Sequence, residues 1–206
     1  MKVSCPLVFI IDDDVLYRKR LSKLVRQAGY TLESFPSAAA FLARARYEGV
    51  GCILLDLRMP EMDGLELQEK LAAINFPLPI IFVTGHGDVA SSVQAMKRGA
   101  VDFLTKPVPR MRLLQAIDTA LQRSAEVRQQ HDRTQRIRRQ LSGLTPREYE
   151  VLTLVIRGMR NKQIAHRLGI AEKTVKVHRG RVMEKLDVAS VAELVRLCED
   201  GQITKD

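Results

Sequence analysis

The sequence is poor in cysteine. Cys5, Cys52 and Cys198 stand far apart, form no CxxC pair and are odd in number. A dispersed, odd set argues against a disulfide framework and against a zinc site. Their apolar neighbours predict buried free thiols. Long apolar runs are also missing. None approaches the roughly 18 residues of a membrane-spanning helix, so no membrane partner is expected. Acidic residues begin at Asp12, too early for a cleavable export leader. A reducing cytoplasm is the expected compartment. There is no internal repeat, and no heptad pattern persists beyond Leu121, which argues against a long coiled coil.

What the chain does contain is enough apolar sequence for a packed core. Of its 206 residues 46% are hydrophobic and 28% charged, which suits one large or two small globular domains. The net charge of +9 is uneven. Residues 1–125 carry 16 Lys and Arg against 13 Asp and Glu; residues 126–206 carry 17 against 11. A basic second part points to a polyanion, either nucleic acid or an anionic membrane.

The first part alternates two patterns. Short apolar runs lie at Leu7–Ile11, Thr31–Phe35, Cys52–Leu55, Pro79–Val83 and Asp102–Leu104. Between them apolar residues recur at helical spacing, as in Leu16, Leu21, Leu24, Val25 and Ala28 before a stop at Gly29. Further helices are predicted at about 37–47, 64–74, 88–98 and 109–123. Five strands alternating with five helices predict an α/β fold: a five-stranded parallel, doubly wound sheet, flavodoxin/CheY-like. Ligands of such sheets bind at the C-terminal strand ends, near the switch in strand order.

From Leu121 to Gln140 the chain is polar and contains no Pro or Gly, which predicts an exposed helical linker. Beyond it four helices are expected. Thr145 is the N-cap of the first, with Pro146 at its first position and Glu148 completing a capping box. Gly158 closes that helix. A short helix from Asn161 ends at Gly169, and longer ones follow at 172–186 and about 190–200. A short helix, a glycine turn and a basic helix form the local pattern of a helix-turn-helix. The domains are thus expected at 1–123, 124–141 (linker) and 142–206.

Polar groups gather at the expected strand ends. Asp12 and Asp13 follow the first run, Asp56 ends the third, Thr84 ends the fourth and Lys106 follows the fifth. A lone Asp there is ordinarily a turn or N-cap residue; the coincidence of all five is what points to chemistry. Three crowded carboxylates need a cation, and oxygen ligands suit Mg2+. A lysine and a threonine opposite could hold phosphoryl oxygens. The set suits phosphoryl transfer by positioning and charge neutralisation, with a carboxylate as covalent acceptor.

At these residues the chain resembles the receiver domains of two-component response regulators. IDDD at 11–14, LLDLRMPEMDG at 54–64, FVTGHGD at 82–88 and DFLTKP at 102–107 carry the resemblance. It implies that Asp56 accepts a phosphoryl group from a sensor histidine kinase. It implies that Asp12, Asp13, Asp56 and the backbone carbonyl of Arg58 hold Mg2+. It further implies that Thr84 and Lys106 sense the phosphate, that Lys106–Pro107 is cis, and that Phe103 is the switch aromatic. Asp14 is expected to cap the following helix.

On the helix at 172–186, Val175, Val182 and Leu186 share one face and should pack on Ile164 and Leu168. Lys173, Lys176, Val177, Gly180 and Glu184 face the other way, with Thr174, His178, Arg181 and Lys185 beside them. An apolar back with a mostly basic front suits a major groove, although a solvated amphipathic helix shows a similar stripe. LTPREYEVLTLVIRG, NKQIAHRLGI and TVKVHRGRVMEKL resemble LuxR-type helix-turn-helix domains, and the whole chain is similar to FixJ/NarL-type regulators. The resemblance implies that Lys176 and Val177 face base edges, with Lys173, Thr174, His178 and Arg181 nearer phosphates. It implies a homodimer on phosphorylation, a double-stranded operator and contact with RNA polymerase. Gly180 departs from relatives that carry a longer polar side chain there. Two other classes compete: an aspartate-nucleophile phosphatase, which would carry DxD on the first strand, and a protein- or RNA-binding module. A transcription regulator rather than an enzyme is expected.

Overall fold

A computed structural model describes residues 5–44, 47–85 and 89–201. Residues 86–88 of the FVTGHGD motif and both chain ends lie outside that set. The described chain forms two compact units, Met1–Arg128 and Gln129–Asp206.

In the first unit, β1 (Leu7–Ile11), β2 (Thr31–Phe35), β3 (Gly51–Leu55), β4 (Ile80–Thr84) and β5 (Asp102–Thr105) form one sheet. Every pairing is parallel and the order is β2-β1-β3-β4-β5. The direction of winding therefore reverses between β1 and β3, the place where ligands of doubly wound sheets bind. β1, β3 and β4 are buried throughout, as continuous apolar strands covered on both faces must be. Alternate residues feed two layers. Phe9, Ile53, Leu55 and Phe82 pack with Phe41, Leu67 and Leu71. Val8, Ile10, Leu54 and Ile81 pack with Leu21, Val25, Leu113 and Ile117. Each such side chain contributes about 1.5–3 kcal/mol.

The covering helices are α1 (Val15–Gln27), α2 (Ala38–Leu42), α3 (Gly64–Ala73), α4 (Val89–Lys97) and the start of α5 (Arg110–Ser142). Asp14 caps α1, as expected: its Oδ1 accepts from the Leu16 and Tyr17 amides at 2.8 and 3.1 Å. α2 is shorter than the helix expected at 37–47, of which residues 45–46 lie outside the described set. Past its end, Arg44 pairs with Glu33 at 2.5 Å and lies over the rings of Phe9 and Tyr47.

α5 runs on for 33 residues, past the apolar stripe at 109–123 and through the linker expected to be helical. Its polar segment is not uniformly exposed. Ser124 is buried, and its hydroxyl accepts from the Gly51 amide at 3.1 Å. Ile137 and Leu141 are buried in the core of the second unit. Two apolar residues four apart make a helical stripe that a polar average conceals.

The second unit adds α6 (Pro146–Ile156), α7 (Asn161–Leu168), α8 (Glu172–Lys185) and α9 (Val191–Asp200). Thr145 and Glu148 form the expected capping box. Glu148 also receives Lys185 Nζ at 2.6 Å, and that bond with the Thr145 amide pulls its carboxyl down to about 2. Gly169 closes α7 at φ +63°, in the left-handed region. Ile164, Val175, Val182 and Leu186 meet in one core, with Leu168 at its edge. Cys52 and Cys198 are buried free thiols, but Cys5, which precedes β1, is exposed, against expectation. No described helix is long and apolar enough to cross a membrane.

Candidate functional site

The site is assembled by strand ends. The Asp56 amide donates to the Ile11 carbonyl at 2.8 Å, which sets the end of β3 beside the end of β1. Asp12, Asp13 and Asp56 then offer carboxylate oxygens that all lie within 4.8 Å of one another. Asp12 and Asp56 are buried and Asp13 is exposed. β4 and β5 align Thr84 with Thr105, and the Lys106 amide donates to the Thr84 carbonyl at 2.7 Å. Lys106 thereby turns inward. Its ammonium lies 2.7 Å from Asp12 Oδ2 and 3.3 Å from Asp56 Oδ1. The Lys106–Pro107 bond is cis, as expected. Thr84 is buried at its strand end. Phe103 is half-buried, its ring 6.1 Å from that of Phe82. Arg58 is exposed, two residues past Asp56.

Burial dominates the electrostatics. It raises the Asp56 carboxyl to about 6, with the charge of Asp12 adding to the effect and Lys106 opposing it. Asp12 is also raised by burial, against its hydrogen bond and charge attraction to Lys106. Burial works against the Lys106 ammonium, but Asp12 and Asp56 outweigh it and raise its pKa. Three ionised carboxylates facing one ammonium leave an excess of negative charge. An all-oxygen donor set with that excess fits a hard divalent cation.

Sequence reasoning missed three supporting residues. Tyr17 places its ring 4.4 Å from Lys106 Nζ. Arg18 donates to the backbone carbonyls of Asp12 and Asp13 at 2.5 and 3.4 Å. Gly64 approaches so closely that a Cβ there would sit 2.4 Å from the Asp56 carbonyl oxygen. Of the three, only Gly64 carried a sequence signal, as the last residue of the LRMPEMDG run.

A second candidate surface lies on α8. Lys173, Thr174, Lys176, Val177 and Arg181 are exposed on it, while Val175 and Val182 are buried beneath. His178 is half-buried and its Nδ1 is enclosed. Arg179, not singled out from the sequence, donates to Asn161 Oδ1 at 2.9 Å and ties α8 to the start of α7.

Comparisons with known proteins match this anatomy. The profile of the family described as "Response regulator receiver domain" matches residues 8–118. That of "Bacterial regulatory proteins, luxR family" matches residues 142–198. The chain is 44% identical to the response regulator protein TodT of Pseudomonas putida, over 97% of this chain and 88% of the relative. It is 43% identical to the transcriptional regulatory protein FixJ of Azorhizobium caulinodans, over 96% of this chain and 93% of that one. The structure of the response regulator StyR is similar, with a TM-score of 0.85, 50% identity and coverage of 95% of this chain and 99% of that one. Relatives named as transcriptional regulators speak against the phosphatase reading. The chain belongs to the two-component response regulators, joining a receiver domain to a LuxR-type DNA-binding domain.

Proposed function

We propose that Asp56 accepts a phosphoryl group from a sensor histidine kinase and that the chain then binds operator DNA as a homodimer. The observation that carries this reading is the pocket in which Asp12, Asp13 and Asp56 face Lys106. An Asp56 carboxylate oxygen attacks the phosphorus of a phosphohistidine, and the P–N bond breaks. Its electron pair stays with the imidazole, which leaves neutral if its other nitrogen carries a proton. Lys106 pairs with the incoming phosphoryl oxygens and Thr84 hydrogen-bonds to them. Asp12, Asp13, Asp56 and the Arg58 carbonyl would hold Mg2+, which supplies positive charge against the carboxylates and the phosphoryl oxygens.

Phe103 is the proposed switch, and α4 the surface it alters. Val89, Val93 and Met96 are exposed on α4, which supports a dimer contact at α4 and β5 in the phosphorylated state. On α8, Lys176 and Val177 read bases, while Lys173, Thr174, His178 and Arg181 serve the phosphate backbone. The receiver is assigned to 1–123, the linker to 124–141 and the DNA-binding domain to 142–206. Contact with RNA polymerase and a cytoplasmic site complete the proposal. The test is labelling with acetyl phosphate. Wild type should acquire acid- and base-labile phosphate only with Mg2+, Asp13→Asn less, and Asp56→Asn none. Undiminished labelling of Asp56→Asn would sink the assignment.

A further inference from the structure

We infer that Tyr17 is a positioning residue for phosphoryl transfer: its ring holds the Lys106 ammonium beside Asp56, so that the cation is in place when a phosphoryl group arrives. The inference rests on the reading of Asp56 as acceptor.

Lys106 is a flexible point charge on a four-carbon stem, and ordering it costs rotamer entropy. Its ammonium meets three groups at once. Asp12 lies at 2.7 Å, Asp56 at 3.3 Å, and the centroid of the Tyr17 ring at 4.4 Å. That last distance is within the range over which the negative face of an aromatic ring attracts a cation. Few lysine rotamers satisfy two carboxylates and a ring face together.

Tyr17 is itself held at both ends. Its backbone amide donates to Asp14 Oδ1 at 3.1 Å. Its hydroxyl accepts from the Val108 amide at 3.5 Å, two residues beyond Lys106. The ring therefore spans from the first turn of α1 to the chain that carries Lys106. The Asp14 amide in turn donates to Asp12 Oδ1 at 2.9 Å. Asp12, Asp14, Tyr17 and Lys106 close a circuit that returns to Asp12. This explains why a third aspartate follows the acidic pair: it orients the residue that holds the lysine. Without the ring face the ammonium gains water and other rotamers, and must be recruited again at each phosphorylation.

A side chain that merely filled space would be replaceable by any apolar group of similar reach. The test uses the full chain with acetyl phosphate and Mg2+. Tyr17→Phe keeps the ring and should phosphorylate within about twofold of wild type, whereas Tyr17→Leu should be about five- to tenfold slower. In NMR spectra the Lys106 ε-methylene protons should be shifted upfield by the ring in wild type and Tyr17→Phe. They should return to ordinary positions in Tyr17→Leu. Equal rates for wild type and Tyr17→Leu overturn the positioning role alone, as do unshifted Lys106 protons in the folded wild type. Labelling that fails in wild type or persists in Asp56→Asn overturns the acceptor reading, and this inference with it.

Discussion

Burial raises the Asp56 carboxyl to about 6 from 3.8, so the native state binds its proton more tightly than the unfolded chain does. That stabilises the metal-free fold fully below about pH 4, and the contribution is lost as pH rises through about 6. At neutral pH the ionised carboxylate sits in a pocket already occupied by Asp12 and is unfavourable there. Metal-free Asp56→Asn should therefore be more stable than wild type at pH 7, by up to about 3 kcal/mol. The difference should shrink toward zero near pH 4. Urea titrations of both proteins at the two pH values measure it, and equal midpoints at pH 7 would contradict it. Mg2+ should stabilise wild type more at pH 7 than at pH 5, because protons compete for the same oxygens. Glu148 has the opposite sign. Lys185 and the Thr145 amide pull its carboxyl from 4.5 to about 2, so its contribution is present above pH 4.5 and lost as pH falls through about 2. Glu148→Gln should flatten the acid unfolding of the second unit over that range, as followed by circular dichroism.

Elements explain how isolated residues become a site. The expected strands and the pocket they end in were legible because parallel strands buried on both faces must be apolar, so the first polar residue marks the strand end. Asp12, Asp56 and Thr84 are such residues, Lys106 follows the partly buried β5, and the sheet brings them together. What the sequence did not show were contacts without periodicity. Tyr17 has no mark distinguishing it from any half-buried helix residue, and Arg44, just past the end of α2, takes partners on β2 and β1. Ile137 and Leu141 were hidden in a polar segment because two apolar residues scarcely change its average. Gly64 shows how closely α3 is fitted to the site. A Cβ there would meet the Asp56 carbonyl oxygen at 2.4 Å and the Phe82 ring at 2.9 Å. Gly64→Ala should destabilise the first unit by about 1–3 kcal/mol and slow phosphorylation; an unchanged urea midpoint would show that α3 yields freely. On α8, the proposed reading divides the exposed side chains by role. Lys176→Ala should reduce preference for operator over scrambled duplex by about 1–3 kcal/mol. Arg181→Ala should weaken binding to both nearly equally and flatten the salt dependence. A salt titration of each variant on both duplexes separates the two outcomes.

At the scale of the molecule, the proposed coupling of phosphate to DNA binding turns on charge and stoichiometry. Most of the excess positive charge, 17 Lys and Arg against 11 Asp and Glu, lies in residues 126–206, which favours nonspecific attraction to DNA whatever the state of Asp56. Regulation must then act on something other than net charge. A single helix-turn-helix unit offers a small interface and binds weakly. Two units joined through their receivers would bind the second half-site at high effective concentration, and affinity would rise without any new contact to DNA. The exposed Val89, Val93 and Met96 of α4 are an apolar surface that a second receiver can cover. A switch needs only that the phosphorylated conformation favour that pairing. Sedimentation at micromolar protein should thus show a monomer without phosphodonor and a dimer with beryllofluoride and Mg2+, while Asp56→Asn stays monomeric. Footprinting of the dimer should give a roughly two-fold symmetric operator with half-sites about one helical turn apart. Val93→Glu on α4 should abolish the dimer and the gain in operator affinity together, while leaving acetyl phosphate labelling of Asp56 intact. If Val93→Glu still dimerises, the contact lies elsewhere on the receiver; if it stays monomeric yet binds operator like the phosphorylated wild type, the receiver does not control DNA binding through pairing.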